Sequence, residues 1–84
     1  MSSELIIYSR PGCHLCDVVK ADLEEAARDH GLVLTPRNIQ GDAELEAAHG
    51  HRIPVVVHDG HEIDWGRVDI QKVRDYLTGV VGVD

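Results

Sequence analysis

Three things are scarce in this sequence, and each scarcity excludes something. No apolar run approaches the ~18 residues of a membrane-spanning helix, and the N-terminus lacks the charged-then-apolar layout of a signal peptide. A cytoplasmic protein with no membrane contact is expected. Basic residues are few: 8 Lys and Arg against 15 Asp and Glu give a net charge of −7, and the basic ones are scattered. Phosphate recognition needs a basic face, so no nucleic-acid partner is expected. Only 2 cysteines are present, and both lie within residues 13–16. A secreted domain of this size commonly carries two or more disulfides, and a bond between these two would close a loop too short to staple distant parts of the chain. Redox or metal chemistry is left for the pair.

What is present is globular. With 84 residues, 43% apolar composition and no low-complexity tract, residues 1–84 read as one domain, expected to be a monomer. The chain is organised around Tyr8-Ser9-Arg10-Pro11-Gly12-Cys13-His14-Leu15-Cys16. Ahead of Cys13, Leu5-Ile6-Ile7-Tyr8 is the continuous apolar run of a centrally buried strand. Behind it, Leu15, Val19, Leu23, Ala26 and Ala27 recur at helical spacing among charged residues, with Gly31 as the stop. Cys13 and Cys16 therefore sit at a strand-to-helix junction, and positions three apart on a helix share a face.

That junction alters the first thiol. The opening turn of a helix has N–H groups without intrahelical partners, and the macrodipole adds partial positive charge there. An effect of roughly 1–2 kcal/mol is about one pKa unit, enough to bring a thiol from about 8.5 toward neutrality. Arg10 and any protonated fraction of His14 act in the same sense; Asp17 opposes them. A nucleophilic Cys13 and a more buried, resolving Cys16 are expected, with Arg10 also placed to hold a substrate carboxylate.

Downstream, Leu32 to Ile39 reads as a second strand, and Pro36 within it removes a ladder donor, which assigns it to a sheet edge. The helix between the two strands makes a parallel, right-handed βαβ unit. Asp42 caps a short helix carrying Leu45 and Ala48 that stops at Gly50. Val55-Val56-Val57-His58, Asp59-Gly60 and His61-Glu62-Ile63-Asp64 form a hairpin. Asp69 caps a last helix with Ile70, Val73, Tyr76 and Leu77 on its apolar stripe, Val68 and Val73 forming a staple and Gly79 ending it. The order β-α-β-α-β-β-α suits a four-stranded mixed α/β sheet with helices on both faces and strand order second, first, third, fourth.

From about Glu4 to Leu77 the chain resembles the glutaredoxin branch of the thioredoxin-fold superfamily, and within it the small glutaredoxin-like group with a C-H-L-C centre. The resemblance rests on Leu5-Ile6-Ile7-Tyr8-Ser9, Arg10, Cys13-x-x-Cys16, Lys20, Ile53-Pro54 before the third strand, and a helix opening at Asp69. It implies a thioredoxin-like, glutaredoxin-type fold and a cis Ile53-Pro54 bond against the dithiol, whose backbone aligns the substrate. It also implies thiol-disulfide exchange on a protein or small-molecule disulfide, with a reductase or glutathione as donor. No cofactor is implied beyond the redox-active Cys13-Cys16 pair. Glutathione-using members usually carry C-P-Y-C and a Gly-Gly pair before the last helix. Here Cys13-His14-Leu15-Cys16 and Asp64-Trp65-Gly66-Arg67 stand instead. The aromatic wall is absent and Asp64 adds a like charge where a glutathione carboxylate would rest, which argues against glutathione.

Other readings compete. The cysteines with His49-x-His51 or His58-x-x-His61 are candidate zinc ligands, although zinc knuckles place C-x-x-C in a turn between short strands; no metal is expected. His58 and His61 are otherwise solvated neighbours across the hairpin. A non-enzymatic adaptor that keeps the fold is a third reading, against which stands the second thiol. Trp65, the only tryptophan, and Asp69 lie beside the expected active-site face and are candidates for a partner surface, though capping the core is the simpler role for the indole.

Overall fold

The computed structural model describes residues 3–81, so both ends of the domain read as 1–84 lie outside the described residues. The elements run β1 (Glu4–Ser9), α1 (His14–Asp29), β2 (Val33–Asn38), α2 (Ala43–His49), β3 (Val55–His58), β4 (His61–Trp65) and α3 (Ile70–Val80). They build one four-stranded sheet in the order β2-β1-β3-β4. β1 and β2 are parallel, while β3 is antiparallel to both β1 and β4. Pro36 pairs opposite Ile7 on the edge strand; Val33 and Ile39 donate toward β1, so by the two-residue alternation the Pro36 nitrogen faces the open edge and no ladder bond is lost.

Alternation along β1 divides the molecule. Leu5 and Ile7 point to one face and join Val56, Ile63, Val19, Leu23, Ala27, Val73 and Leu77 in the core, so α1 and α3 cover that face. Tyr8 points to the other face and stacks on His49 of α2, ring centres 4.7 Å apart. The helices thus lie on both sides of the sheet, and α1 meets the core through Val19, Leu23, Ala26 and Ala27 of the predicted stripe, whereas Leu15, expected with them, is 37% exposed and Cys16 is the buried residue of that turn.

Local chemistry sets where the helices begin and end. α1 closes in a paired bond pattern: Leu32 N–H donates to the Ala27 carbonyl (2.8 Å) and Gly31 N–H to that of Arg28 (3.2 Å). Gly31 holds the left-handed φ of +70° which that motif requires. His30, 5% exposed, ties this end to α3, its Nδ1 on the Ala26 carbonyl at 2.8 Å and its Nε2 3.3 Å from the Thr78 hydroxyl. At the start of α3, the Asp69 carboxylate accepts from the N–H groups of Gln71 (3.0 Å) and Lys72 (3.4 Å). Asp69→Ala is expected to lower stability by about 1 kcal/mol, read as a fall in Tm of roughly 4–8 °C in a thermal melt; a shift within error would deny the cap its role.

Two expectations are corrected. α3 does not stop at Gly79 but runs on to Val80 with Val81 as its cap. A glycine ends a helix by taking positive φ, and Gly79 does not take it. His58 is not a solvated hairpin neighbour: it is 6% exposed and meets the edge of the Tyr76 ring at 6.0 Å. His61 stacks flat on the same ring at 4.9 Å. Tyr76 arrives from α3, so no pattern local to the hairpin announces the burial.

Candidate active site

Three loops meet at one end of the sheet because of strand register. β1 and β3 run in opposite directions with Tyr8 opposite Val55, so the chain leaves β1 toward Cys13 beside the point where Ile53-Pro54 enters β3. Trp65 also pairs with Val55, from the far side, and brings the exit of β4 to the same end.

In the first loop, Gly12 has φ +80°, a conformation an L side chain would strain, and this turns the chain from strand into helix. Cys13 follows as the N-cap of α1, in extended conformation with φ −86° and ψ 101°. Its Sγ accepts the Cys16 N–H at 3.1 Å, and its carbonyl accepts the first helical bond, from Asp17 N–H at 3.2 Å. Cys13 and Cys16 form a disulfide across a Cα separation of 5.2 Å. Cys16 is 3% exposed on the core side of the helix, whereas Cys13 is half-buried at its tip. Of the first-turn N–H groups, which have no intrahelical partner, that of Cys16 faces the Cys13 sulfur.

In the second loop the Ile53-Pro54 bond is cis, and Pro54 is fully buried. Gly66 N–H clips the loop to the end of β4, donating to the Pro54 carbonyl at 2.8 Å and the Arg52 carbonyl at 3.2 Å. Ile53 between them is half-buried, and among the described residues its N–H and C=O have no hydrogen-bond partner. This is an open peptide edge at the dithiol end.

The remaining candidates are placed as follows. Arg10 is exposed, and its Nη2 donates to the Gly50 carbonyl at 3.4 Å, at the negative end of α2, not to sulfur. His14 is exposed at the first position of α1. Trp65 is 49% exposed, with the Arg52 guanidinium 5.8 Å from its ring centre. The Asp69 carboxylate is engaged as the α3 cap. Asp64 is turned into the same cap: its carboxylate accepts the Asp69 N–H at 3.0 Å and lies 3.7 Å from Lys72 Nζ. The like charge expected to meet a glutathione carboxylate is thus partly neutralised within the chain.

The histidines proposed as metal ligands are dispersed. His49 stacks on Tyr8, while His58 and His61 flank Tyr76 at the opposite end of the sheet, where His58 pairs with Leu5. Among the described residues no three His, Cys, Asp or Glu side chains come together as a metal site. One residue escaped the sequence reading: Arg52, which forms a two-pronged ion pair with Glu62 beside Pro54. The only local signal for it was its place ahead of Ile53-Pro54.

The comparisons with known proteins agree with this geometry. The Glutaredoxin-like domain (DUF836) family matches residues 4–78. The X-ray structure of Northeast Structural Genomics target protein XcR50 from X. campestris is 35% identical, with 90% of this chain and 97% of that chain covered and a TM-score of 0.75. The solution structure of protein Ne2328 from Nitrosomonas europaea is 29% identical over 87% of this chain and 88% of that one, also at a TM-score of 0.75. A mutant thioredoxin from Halobacterium salinarum, 19% identical over 96% of this chain and 76% of that chain, has a TM-score of 0.70 and shares the fold. No curated protein matches the sequence. A disulfide at the helix tip of such a fold supports a redox type of function. With nearly the whole chain matched, and on a fold shared with thioredoxin, the protein belongs to the Glutaredoxin-like domain (DUF836) family.

Proposed function

We propose that the protein is a dithiol oxidoreductase that reduces disulfides through Cys13 and Cys16. The observation that carries the reading is the asymmetry of the pair: Cys13 Sγ caps the first turn of α1 and is reachable, while Cys16 is buried one turn behind it within bonding distance. In the reduced protein the Cys13 thiolate attacks one sulfur of the substrate disulfide. A mixed disulfide forms and the other substrate sulfur leaves as a thiolate. The Cys16 thiolate then attacks Cys13 Sγ, the second substrate thiolate leaves, and the Cys13-Cys16 bond remains. Two electrons pass to the substrate, the departing thiolates take up protons from solvent, and an external thiol donor restores the dithiol.

The open edge at Ile53 supports an alignment role, since an extended substrate backbone laid there would pair with its free N–H and C=O. His14 follows Cys13 at the first position of α1, exposed to an incoming substrate, while the Arg10 guanidinium is turned to the Gly50 carbonyl. The cytoplasm suits the proposed direction, because reducing pools there keep thiols reduced.

The test is reduction of a disulfide substrate by the purified protein, run in parallel with glutathione plus its reductase and with thioredoxin reductase as the source of electrons. Turnover is expected with the second donor and little with the first, given the missing aromatic wall in Cys13-His14-Leu15-Cys16. An equilibrium potential within roughly −180 to −270 mV, the span from disulfide isomerase to thioredoxin, is expected alongside. No reduction with either donor or with a small dithiol, together with a potential far below that span, would overturn the reading in favour of a structural bond.

A further inference from the structure

We infer that Arg52 is a positioning residue for the substrate chain, and that the substrate class it serves is an extended peptidyl disulfide. This rests on the exchange reading above and deepens it. Arg52 directly precedes Ile53, and it is held through both its backbone and its side chain. Its N–H donates to the His49 carbonyl (2.8 Å), and its own carbonyl accepts from Gly66 N–H (3.2 Å). Its guanidinium donates from Nη1 to Glu62 Oε2 (2.8 Å) and from Nη2 to Glu62 Oε1 (3.0 Å) and the Ala48 carbonyl (3.1 Å). The same group lies 5.8 Å from the centre of the Trp65 ring. One side chain therefore joins the end of α2, strand β4 and the indole to the peptide just ahead of Pro54.

The partners are arranged for geometry more than for stability. Glu62 pairs with Val57 and Trp65 with Val55 in the ladder, so both stand on the α2 side of β4, where one guanidinium spans them. Side chains of Arg52 and Glu62 are 35% and 33% exposed, a setting in which an ion pair adds little net stability. A two-pronged Arg–carboxylate contact is nevertheless directional, and it fixes the plane of the guanidinium. What it fixes is a half-exposed tryptophan and a peptide whose N–H and C=O have no partner among the described residues. The Arg52 carbonyl faces β4, where it accepts from Gly66, so the Ile53 N–H of the same trans peptide faces the other way, toward the end of β1, with the indole of β4 across the chain from it. An extended chain can pair at Ile53, on the edge that Arg52 holds in place from the β4 side. A compact disulfide uses only the sulfur. Order already present in the free protein is order that binding need not impose, so its loss falls on the extended substrate.

The test compares two disulfides with the same leaving group in single-turnover oxidation of the pre-reduced, full-length protein. One is 2-hydroxyethyl disulfide; the other is a short linear peptide whose cysteine carries the same mercaptoethanol cap. For Arg52→Met, the half-saturating peptide concentration is expected to rise about tenfold while the limiting rate stays within about twofold. With 2-hydroxyethyl disulfide the change is expected to be no more than about twofold. Arg52→Lys, which keeps the charge but not the fork, should recover only part of the peptide effect. Glu62→Gln leaves the Ala48 contact in place and should fall between wild type and Arg52→Met, so it decides the matter should Arg52→Met fail to fold. Equal losses on the two substrates, or no rise in half-saturation for the peptide in any variant, would overturn the inference. Wild-type protein oxidised by neither disulfide would remove the exchange reading itself and this inference with it.

Discussion

Cys13→Ser is expected to take disulfide reduction to the uncatalysed level, a loss of roughly a thousandfold or more, the scale on which removing a covalent nucleophile falls. Cys16→Ser is expected to behave differently. It retains the attacking thiol at the tip of α1 but lacks the group that releases the product, so the reaction should halt at a mixed disulfide between Cys13 and substrate. The mass of one substrate half, removable with a small dithiol, should appear on the Cys16→Ser protein and not on Cys13→Ser. The structure gives the order of events its physical basis. Cys13 Sγ faces the N–H of Cys16 at 3.1 Å and is reachable at the helix tip, whereas Cys16 at 3% exposure cannot meet a substrate directly. Thiolate nucleophiles need both access and stabilisation of the anion, and only the first position has the two together. Reduction by Cys13→Ser at the wild-type rate would refute the assignment, as would adduct formation on the serine variant in place of the other.

Much of this arrangement is legible in the sequence because it depends on neighbours in the chain. Pro36 placed β2 at the sheet edge through its missing N–H, and the sheet order β2-β1-β3-β4 has it there. Asp69 was readable as a cap from the apolar stripe behind it, and its carboxylate does accept from Gln71 and Lys72. The cysteines were readable as a helix-tip pair from the strand before and the stripe after them. The cis form of Ile53-Pro54 came from family resemblance, since composition and spacing do not distinguish the two isomers. What stayed hidden depends on distant partners. Arg52 meets Glu62 across the hairpin through a strand pairing interrupted between Val56 and Val57, an irregularity that shifts which side chains face it. His58 is buried by Tyr76 of α3, and Asp64 is drawn into the α3 cap by Asp69 and Lys72; in each case the deciding contact comes from another element. Arg10 was expected beside sulfur, but the carbonyl at the end of α2 also attracts a cation, and there its guanidinium donates to Gly50.

The helix that carries the dithiol is also the one that anchors the core, and Leu23→Ala separates those two roles. Leu23 is 0% exposed and belongs to the cluster formed with Leu5, Ile7, Val73 and Leu77. Truncating a leucine at such a site removes its transfer free energy and leaves a cavity, together about 2–5 kcal/mol. A domain of this length holds only about 4–13 kcal/mol in all, at about 0.05–0.15 kcal/mol per residue. A loss near 3 kcal/mol should lower Tm by roughly 12–24 °C, taking about 4–8 °C per kcal/mol. Val33→Ala, on an edge strand with Val33 64% exposed, should stay within about 0.5 kcal/mol of wild type. Because the Cys13 environment is set by the first turn and not by the middle of α1, the alkylation rate of reduced Cys13 below the melting transition should be unchanged in Leu23→Ala. A large fall in Tm with unaltered thiol reactivity would establish that α1 presents the dithiol from a rigid seat. A Tm within a few degrees of wild type would mean that α1 does not rest on this core, and the burial that separates Cys16 from Cys13 would lose its structural cause.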